Sequence, residues 1–473
     1  MISTLFIFLS LIVIFPAWLL AAPTAIVGAR LIDGNGKKPR SGITILIEND
    51  RIVSVGNKVK VPKNTKIIDA RNKFVVPGLV DAHVHVMGDG SYIDNMVSDN
   101  PKVREAMERI IRQAPYQLSR YLCAGVTRAL DIGAPNVMFK LRDDSRNNPR
   151  SPTIYTSGLM VSTLPSIYNI TMPHDMPIAY LSRTSEQALN AIESLIPYRP
   201  DFIKFQLIAW DDGLDPNMPP DELLKVQKGL IEKYSPAIST GITATHRRGM
   251  KALVHAMELA THKAVAKLGA DAIMHGVFDL PVDQELINIL KQKSVTYVPT
   301  ISVADRMEQV MNYPPHLDFL PIEKECASVG TLNSFKDVPK GSKNPVPFDL
   351  KIARQNLKAL SDAGVKIAMG TDSGNFGVLA GASVHKEMLE MVNAGMSPMQ
   401  VIVSATKNAA DLVTDKPDFG TIEAGKKADI LVLDADPVKD IGNLAKIKLV
   451  IKNGNVFERS EFVNERPSGY ESQ

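Results

Sequence analysis

Residues 79–85 read LVDAHVH, a short apolar run that ends on two histidines two positions apart. At the two-residue period of a strand, His83 and His85 project to one side while Val84 faces the other. Seven further segments share this texture: GVTRALD (125–131), TIYTSG (153–158), DFIKFQ (201–206), KALVHA (251–256), DAIMHG (271–276), TYVPTIS (296–302) and KIAMGTD (366–372). Helix-length patterns separate most of them, at 103–122, 184–196, 257–268, 282–293 and 350–363. Short apolar strands alternating with helices argue for βα units and a parallel sheet. Eight such units predict an α/β chain built on a (β/α)8 TIM barrel. An open doubly wound sheet would want a Gly-rich phosphate loop after its first strand, and neither GxGxxG nor GxxxxGK[ST] occurs. Two connections, 159–183 and 303–349, are rich in Pro, Asn and Ser and longer than a barrel needs. Both follow strands, so they are expected as loops overhanging the active-site face.

Outward from the barrel, the texture turns to strand and turn. AIVGARLI, the turn DGNG, ITILIE, NDRIVSVG and TKIIDA fill residues 25–70, and ADILVLDA (428–435) and IKLVIKNGNVF (447–457) repeat the pattern near the other end. Neither piece has a core of its own. Together, 23–72 and 415–473 predict one composite β-sandwich domain, leaving 73–414 to the barrel. Residues 1–22, MISTLFIFLSLIVIFPAWLLAA, carry no charge and an apolar run from Leu5 to Leu20, interrupted by Pro16. That is shorter than most membrane spans and has the form of a signal-peptide core, followed by the small residues Ala21 and Ala22. Without an N-terminal Lys or Arg, and with Pro23 after Ala22, an uncleaved N-terminal anchor is the alternative. Export to a periplasm or medium, or anchorage through this segment, is the expected location.

Composition removes several function classes. Of 473 residues, 45% are hydrophobic and 22% charged, enough for a large core and against long-range disorder. The 54 Lys+Arg against 51 Asp+Glu leave a net charge of +3, too small and too dispersed for a nucleic-acid partner. Two cysteines cannot build a disulfide framework or a Cys-rich zinc site. Cys123 reads as core packing and Cys326, inside the second long connection, as incidental.

Catalytic residues of TIM barrels gather at the C-terminal ends of strands. Here those ends carry His83 and His85, Lys204, His255, His275 and Asp372, so four of the nine histidines sit there. One strand histidine is more often a core residue than a ligand. Independent core histidines, however, have no reason to choose the same end of different strands. Imidazole and carboxylate are ligands of zinc and its neighbours, and convergence on a metal offsets the cost of burying them. Lys204, inside the apolar strand DFIKFQ, is a buried cation that must snorkel or shift its pKa.

PGLVDAHVH (77–85) resembles the opening signature of the metal-dependent amidohydrolase superfamily. The likeness continues in order through AGVTRALDIG (124–133), DFIKF (201–205), VHA (254–256), MHG (274–276), GTDSG (370–374), SATKNAADLV (404–413) and GTIEAGKKADILVLDADP (420–437). Within it, the chain is most similar to the imidazolonepropionase-like and Xaa-Pro dipeptidase-like group. The resemblance implies that His83, His85 and Asp372 hold one divalent metal, zinc by the resemblance, and that His255 and His275 hold a second. It implies that Lys204 is carbamylated by CO2 and bridges both ions. The metals would acidify a water into the nucleophile, and Asp372 would act as general base and then general acid. No Ser or Cys nucleophile competes, since GxSxG is absent.

Other residues are secondary candidates. Arg128 and Tyr297, on barrel strands, are placed to reach a substrate carboxylate or oxyanion, and His174, in TMPHDMP, to contact substrate from the first long loop. His385 opens a helix after the last strand and is expected behind the ligands; His246, His262 and His316 read as surface residues. The expectation is an exported hydrolase of C–N bonds, a dipeptidase among the possibilities, acting on a small molecule or short peptide and forming a homo-oligomer. Cyclic amide hydrolysis, lactonase or phosphotriesterase activity on the same binuclear site is the alternative. A metal-free binding protein on a barrel frame is the rival from another class.

Overall fold

Alternation of apolar and polar side chains near the N-terminus produces five strands: β1 (Thr24–Leu31), β2 (Arg40–Glu48), β3 (Arg51–Gly56), β4 (Lys66–Asp69) and β5 (Phe74–Pro77). The computed structural model describes residues 22–92, 105, 108, 112–164, 177–207, 218–342 and 348–465; the apolar run Leu5–Leu20 and His174 lie outside these. β1 is the hub of the group, antiparallel to β2 and parallel to both β4 and β5.

The chain then turns to parallel pairing. β6 (Leu79–Val84), β7 (Val126–Asp131) and β8 (Thr153–Thr156) form a three-stranded parallel sheet. β9 (Met160–Ser162), β10 (Ala179–Leu181), β11 (Ile203–Gln206), β12 (Ala252–His255), β13 (Ala272–Met274) and β14 (Thr296–Val298) form a second parallel sheet in the order β10-β9-β11-β12-β13-β14. One face of these strands packs on helices: Ile203, Phe205, Val254 and Ile273 share a cluster with Ile192, Ile238 and Leu290. Val80, Ala82, Leu130, Leu253 and Val298 form a separate cluster drawn mostly from strands. In β6 the register shifts between Asp81 and Val84, which moves Val84 from the second cluster to the first.

The helices follow local rules. Thr184 caps Ser185–Leu195 in a reciprocal capping box with Gln187, and Ala188, Ala191, Ile192 and Leu195 give that helix its buried stripe. Asp349 caps Leu350–Asp362 by accepting from the Ile352 amide.

Several expectations need correction. KIAMGTD is not a full strand; residues 366–373 carry isolated bridges, from Ile367 to Tyr297 on β14 and from Ser373 to Val84 on β6. The Asp372 amide donates to the His83 carbonyl (2.7 Å) and the Ala82 amide to the Met369 carbonyl (3.0 Å). Glycine permits this approach: a Cβ at Gly370 would lie 2.9 Å from the His83 Cβ, and one at Gly374 (φ +105°) 2.3 Å from the His85 carbonyl oxygen. The connection 159–183 is not a plain loop, because β9 and β10 add two strands to the second sheet. TYVPTIS gives up its end to a helix, Ile301–Met311, and Pro321–Cys326 and Val329–Ser334 are also helical. Cys123 and Cys326 are neither separate nor incidental: they form a disulfide across 203 positions, joining the end of the helix Ala114–Cys123 to that of Pro321–Cys326.

β15 (Ile430–Leu433), β16 (Ile447–Lys452) and β17 (Asn455–Glu458) return to the first strands, β15 pairing antiparallel with β5. Hydrogen bonding joins all eight strands from the two ends into one sheet, β17-β16-β15-β5-β1-β2-β3 with β4 on β1. Ile26, Ile43, Ile45, Val75, Ile430 and Ile451 share its core. Phe74–Pro77, on the far side of the expected boundary at 72, belongs to this sheet. No helix among the described residues is long and apolar enough to cross a membrane.

Candidate metal centre

The ends of β6, β11, β12 and β13 and the segment 366–373 bring their polar side chains to one place. His83 Nε2 and His85 Nε2 lie 3.1 and 3.0 Å from Asp372 Oδ1, and His275 Nδ1 lies 3.8 Å from Asp372 Oδ2. The His275 ring centre is 4.7 Å from that of His83 and 4.4 Å from that of His255. Lys204 lines the same cavity, and its Nζ is buried without a hydrogen-bond partner. All six candidate ligands of the sequence reading therefore meet. His275 and Asp372 take left-handed φ values of 78° and 62°, which side chains other than glycine rarely adopt and which cluster at functional sites.

The donor chemistry fits a cation. His85 Nδ1 is 3.2 Å from the Gly133 carbonyl, which can only accept, so Nδ1 carries a proton. The neutral ring then turns the lone pair of Nε2 towards a carboxylate oxygen. Asp372 Oδ1 is buried, and neither imidazole contact has hydrogen-bond geometry; His83 Nδ1 is buried without a partner as well. Among the described residues, His83, His85 and Asp372 form a group whose ligand atoms all lie within 4.8 Å of one another. Two lone pairs and a carboxylate facing a common point is a divalent-metal arrangement. Burial pushes His83 down to about 4 and Lys204 down to about 7, and puts His255 and His275 well below the usual imidazole value. Burial alone would raise Asp372, but the surrounding imidazoles hold its carboxyl well below the ordinary range. Burial likewise opposes charge on His85, yet Asp372 and Asp131 raise its pKa. Burial thus favours the neutral form of His83, His255 and His275 around an anionic Asp372.

A family profile described as the amidohydrolase family matches residues 74–457. This chain belongs to the amidohydrolase family. The match spans every candidate ligand, and the chain is accordingly a hydrolase acting on carbon–nitrogen bonds. This amidohydrolase is similar to the ochratoxinase of Aspergillus niger, with 24% identity over 93% of the chain and 87% of that protein. It is 32% identical to an imidazolonepropionase of Brevibacillus brevis over 83% of the chain and 82% of that protein. Among solved structures it resembles a Xaa-Pro dipeptidase with methionine bound in its active site, at TM-score 0.69 and 24% identity, covering 92% of this chain and all of the other. That likeness is one of fold. TIM barrels with an attached β domain are the architecture of such neighbours.

The secondary candidates of the sequence fare differently in this amidohydrolase. Arg128 does not reach the cavity: it is buried with Nε on Asp429 (2.7 Å), Nη1 on the Tyr155 hydroxyl (2.7 Å) and its guanidinium 4.2 Å over Phe419. It ties β7 to the terminal sheet. Tyr297 is fully buried, its hydroxyl accepting the Val277 amide (2.9 Å), so it is a packing residue rather than a substrate contact. His385 bonds the Ala124 carbonyl (2.9 Å) and stands behind none of the ligands. His262 is not on the surface: its ring nitrogens sit 2.9 and 3.2 Å from the carbonyls of Glu258 and His275. The helical period had the signal, because His262 precedes buried Val265 and Ala266 by three and four positions. His246 pairs with Asp271 near the surface, and His316 is exposed, as read.

Sequence reasoning missed the groups that hold the ligands. Thr300, in left-handed conformation at φ 43°, places its hydroxyl 2.9 Å from His275 Nδ1. Asp81 accepts the amides of His83 (3.2 Å) and Thr371 (3.0 Å) and the Thr371 hydroxyl (2.7 Å), tying β6 to the GTDSG segment. Asp131 accepts the Val86 amide and the Thr156 hydroxyl, fixing the chain just past His85. Such partners orient the ligating side chains, and no sequence spacing announces them.

Proposed function

We propose that the protein is an exported two-metal amidohydrolase that cleaves an amide or peptide-like bond in a small molecule or short peptide. The observation that carries this reading is the convergence of His83, His85 and Asp372 beside the partnerless Lys204 amine. His83, His85 and Asp372 would hold one divalent ion, zinc by donor type, and His255 and His275 a second. The amine of Lys204, brought by burial to about 7, is available as a neutral nucleophile to CO2. Its N–H proton would be lost as the N–C bond forms, and the carbamate would supply an anionic oxygen donor for bound divalent metal. Bound divalent metal acidifies water and polarises a carbonyl oxygen. Asp372 accepts a proton from the attacking water and returns it to the leaving nitrogen, the general base and acid of one turnover. His83, His255 and His275, kept neutral by burial, serve as lone-pair donors rather than competing acids.

The two parallel sheets, linked through residues 366–373, are read as the two parts of one (β/α)8 barrel capped by the terminal sheet. The Cys123–Cys326 disulfide supports an oxidising compartment, in keeping with the apolar N-terminal run. A second reading, lactone or phosphotriester hydrolysis, draws on the apolar wall of the cavity. Metal analysis after purification with zinc and bicarbonate is the first test. About two equivalents per chain, falling to one in Lys204→Ala, supports the bridged pair; one equivalent in both proteins sinks it. Turnover of N-acyl amino acids, N-acyl amides, lactones and phosphotriesters then separates the readings. Lactones turned over with no amide cleaved would overturn amide hydrolysis.

A further inference from the structure

The cavity above the ligand cluster, about 340 Å³, is walled mainly by apolar side chains, among them Met87, Met160, Met257, Met307, Phe278 and Phe348. Outside the His, Lys and Asp cluster its described lining holds two amide side chains, Gln206 and Asn375, and no further cation. Asn375 turns its Nδ2 back onto the Asp372 carbonyl (3.0 Å). Gln206 differs. The Ser162 hydroxyl accepts the Leu164 amide (3.1 Å) and donates its single proton to Gln206 Oε1 (2.7 Å), with both side chains buried. With Oε1 as the acceptor, the hydroxyl's one proton is used on the amide and the Nε2 hydrogens are left for another acceptor. Gln206 Nε2, with two N–H groups, is left without a partner among the described residues. Gln206 follows Lys204 by two positions on β11, so it shares the ligand-bearing face about 6.6 Å further along the strand.

We propose that Gln206 is a specificity-determining residue: its Nε2 donates to a neutral carbonyl flanking the scissile bond of an otherwise apolar substrate, and Ser162 is the positioning residue that aims it. The inference rests on the amide-hydrolase reading and narrows its substrate class to neutral amides rather than free dipeptides. A carboxylate at that point would be taken from water into an apolar wall with an amide, not a cation, to meet it. Adaptable methionine thioethers suit an aryl or branched apolar group beside the acceptor.

Three probes test this on the metal-loaded enzyme: N-phenylacetylglycinamide, N-phenylacetylglycine and N-propyl phenylacetamide. The carboxamide probe is expected to exceed both others in kcat/KM by about tenfold, the typical size of one placed hydrogen bond in discrimination. Gln206→Leu should cut the carboxamide probe about tenfold more than the propyl one. Ser162→Ala should raise KM for the carboxamide probe with little change in kcat, and Ser162→Thr should restore it. Equal loss on all probes in Gln206→Leu, or the free acid proving the best substrate, overturns the proposal. Calorimetric binding of N-(benzylsulfonyl)glycinamide against N-(benzylsulfonyl)glycine separates the two failures. If no amide turns over yet the carboxamide binds tighter and loses that advantage in Gln206→Leu, the hydrolase reading fails while Gln206 keeps its role. Equal binding of the two in wild type rejects Gln206 as well.

Discussion

At the scale of single residues, a buried charge is costly unless paired, and the pairing decides what each does. Arg128 and Lys204 are both cations on parallel strands, yet Arg128 finds Asp429, Tyr155 and Asn453 while Lys204 finds no hydrogen-bond partner. The first is therefore structural and the second is poised for chemistry. Asp429 also faces Lys452 Nζ (3.6 Å) and accepts the Asn453 amide (2.8 Å), so its loss strands two buried cations. Asp429→Ala is expected to destabilise the fold by about 3–5 kcal/mol, read from urea unfolding, with metal content per folded chain unchanged. A stability loss under 1 kcal/mol would contradict this. These two roles were not separable in the sequence. GVTRALD and DFIKFQ show that a cation lies in a strand, but only the position relative to the C-terminal end, and the partner 301 positions away, distinguish them. His83, His85, His255, His275 and Asp372 were legible because they end their segments; Gln206, Thr300 and Asp81 were not, because glutamine, threonine and aspartate in a strand or turn carry no spacing signal.

At the scale of elements, long connections were read as proline-rich loops, whereas the chain builds them into anchored structure. Arg306, on the helix Ile301–Met311, is fully buried and gives Nη2 to Glu323 (2.7 Å), which in turn accepts the Ser383 hydroxyl (2.8 Å). Glu387, on the helix Val384–Asn393, accepts the amides of Ile301 (3.0 Å) and Ser302 (2.6 Å), satisfying the first turn of the neighbouring helix. Burial pushes Glu387 up to about 7, with Glu390 adding repulsion. The folded state thus holds a proton that the unfolded chain has already lost, and the associated stability is present at low pH and fades as pH rises through 7. Between pH 4.5 and 7 the wild type should lose roughly 3 kcal/mol relative to Glu387→Gln. The variant lacks one acceptor at every pH but has no proton to lose there. Parallel stability-against-pH curves would show that Glu387 does not titrate in this window. The disulfide acts on the same insertion. In a chain-entropy account, a 203-position closure is worth roughly 5 kcal/mol. Cys326→Ser should therefore lower the urea midpoint strongly, and an unchanged midpoint would mean that the packing around Arg306 alone holds these helices.

At the scale of the whole molecule, the candidate ligands come from elements that do not otherwise share one sheet. His83 lies in β6 and His85 directly after it, in the three-stranded sheet, while Lys204 and His255 lie in β11 and β12 and His275 directly after β13 in the other. Asp372 lies on the segment that hydrogen-bonds to β6 and bridges β14 through Ile367. The alternation of parallel strand and helix was legible because each unit is local. The strand order of the sheet built from both chain ends, and the extra strands β9 and β10, depend on pairings that no local pattern encodes. A metal bound across these elements would act as a clamp between the sheets and would bind the folded chain far better than the unfolded one. Its free energy is then added to that of folding, about 2.7 kcal/mol at a hundred times the dissociation constant. Chelation is accordingly expected to lower Tm by several degrees, and zinc with bicarbonate to restore it. Zinc alone should restore less, because in the proposed site a Lys204 carbamate would join the second set of ligands to the first. Lys204→Ala should respond to zinc but not to bicarbonate. His83→Ala, which removes a donor from the buried group around Asp372, should lose the larger part of the zinc response. If chelation leaves Tm unchanged in the wild type, the sheets are held by packing alone and the clamp is wrong. If bicarbonate helps Lys204→Ala as much as wild type, the bridge is wrong while the clamp stands.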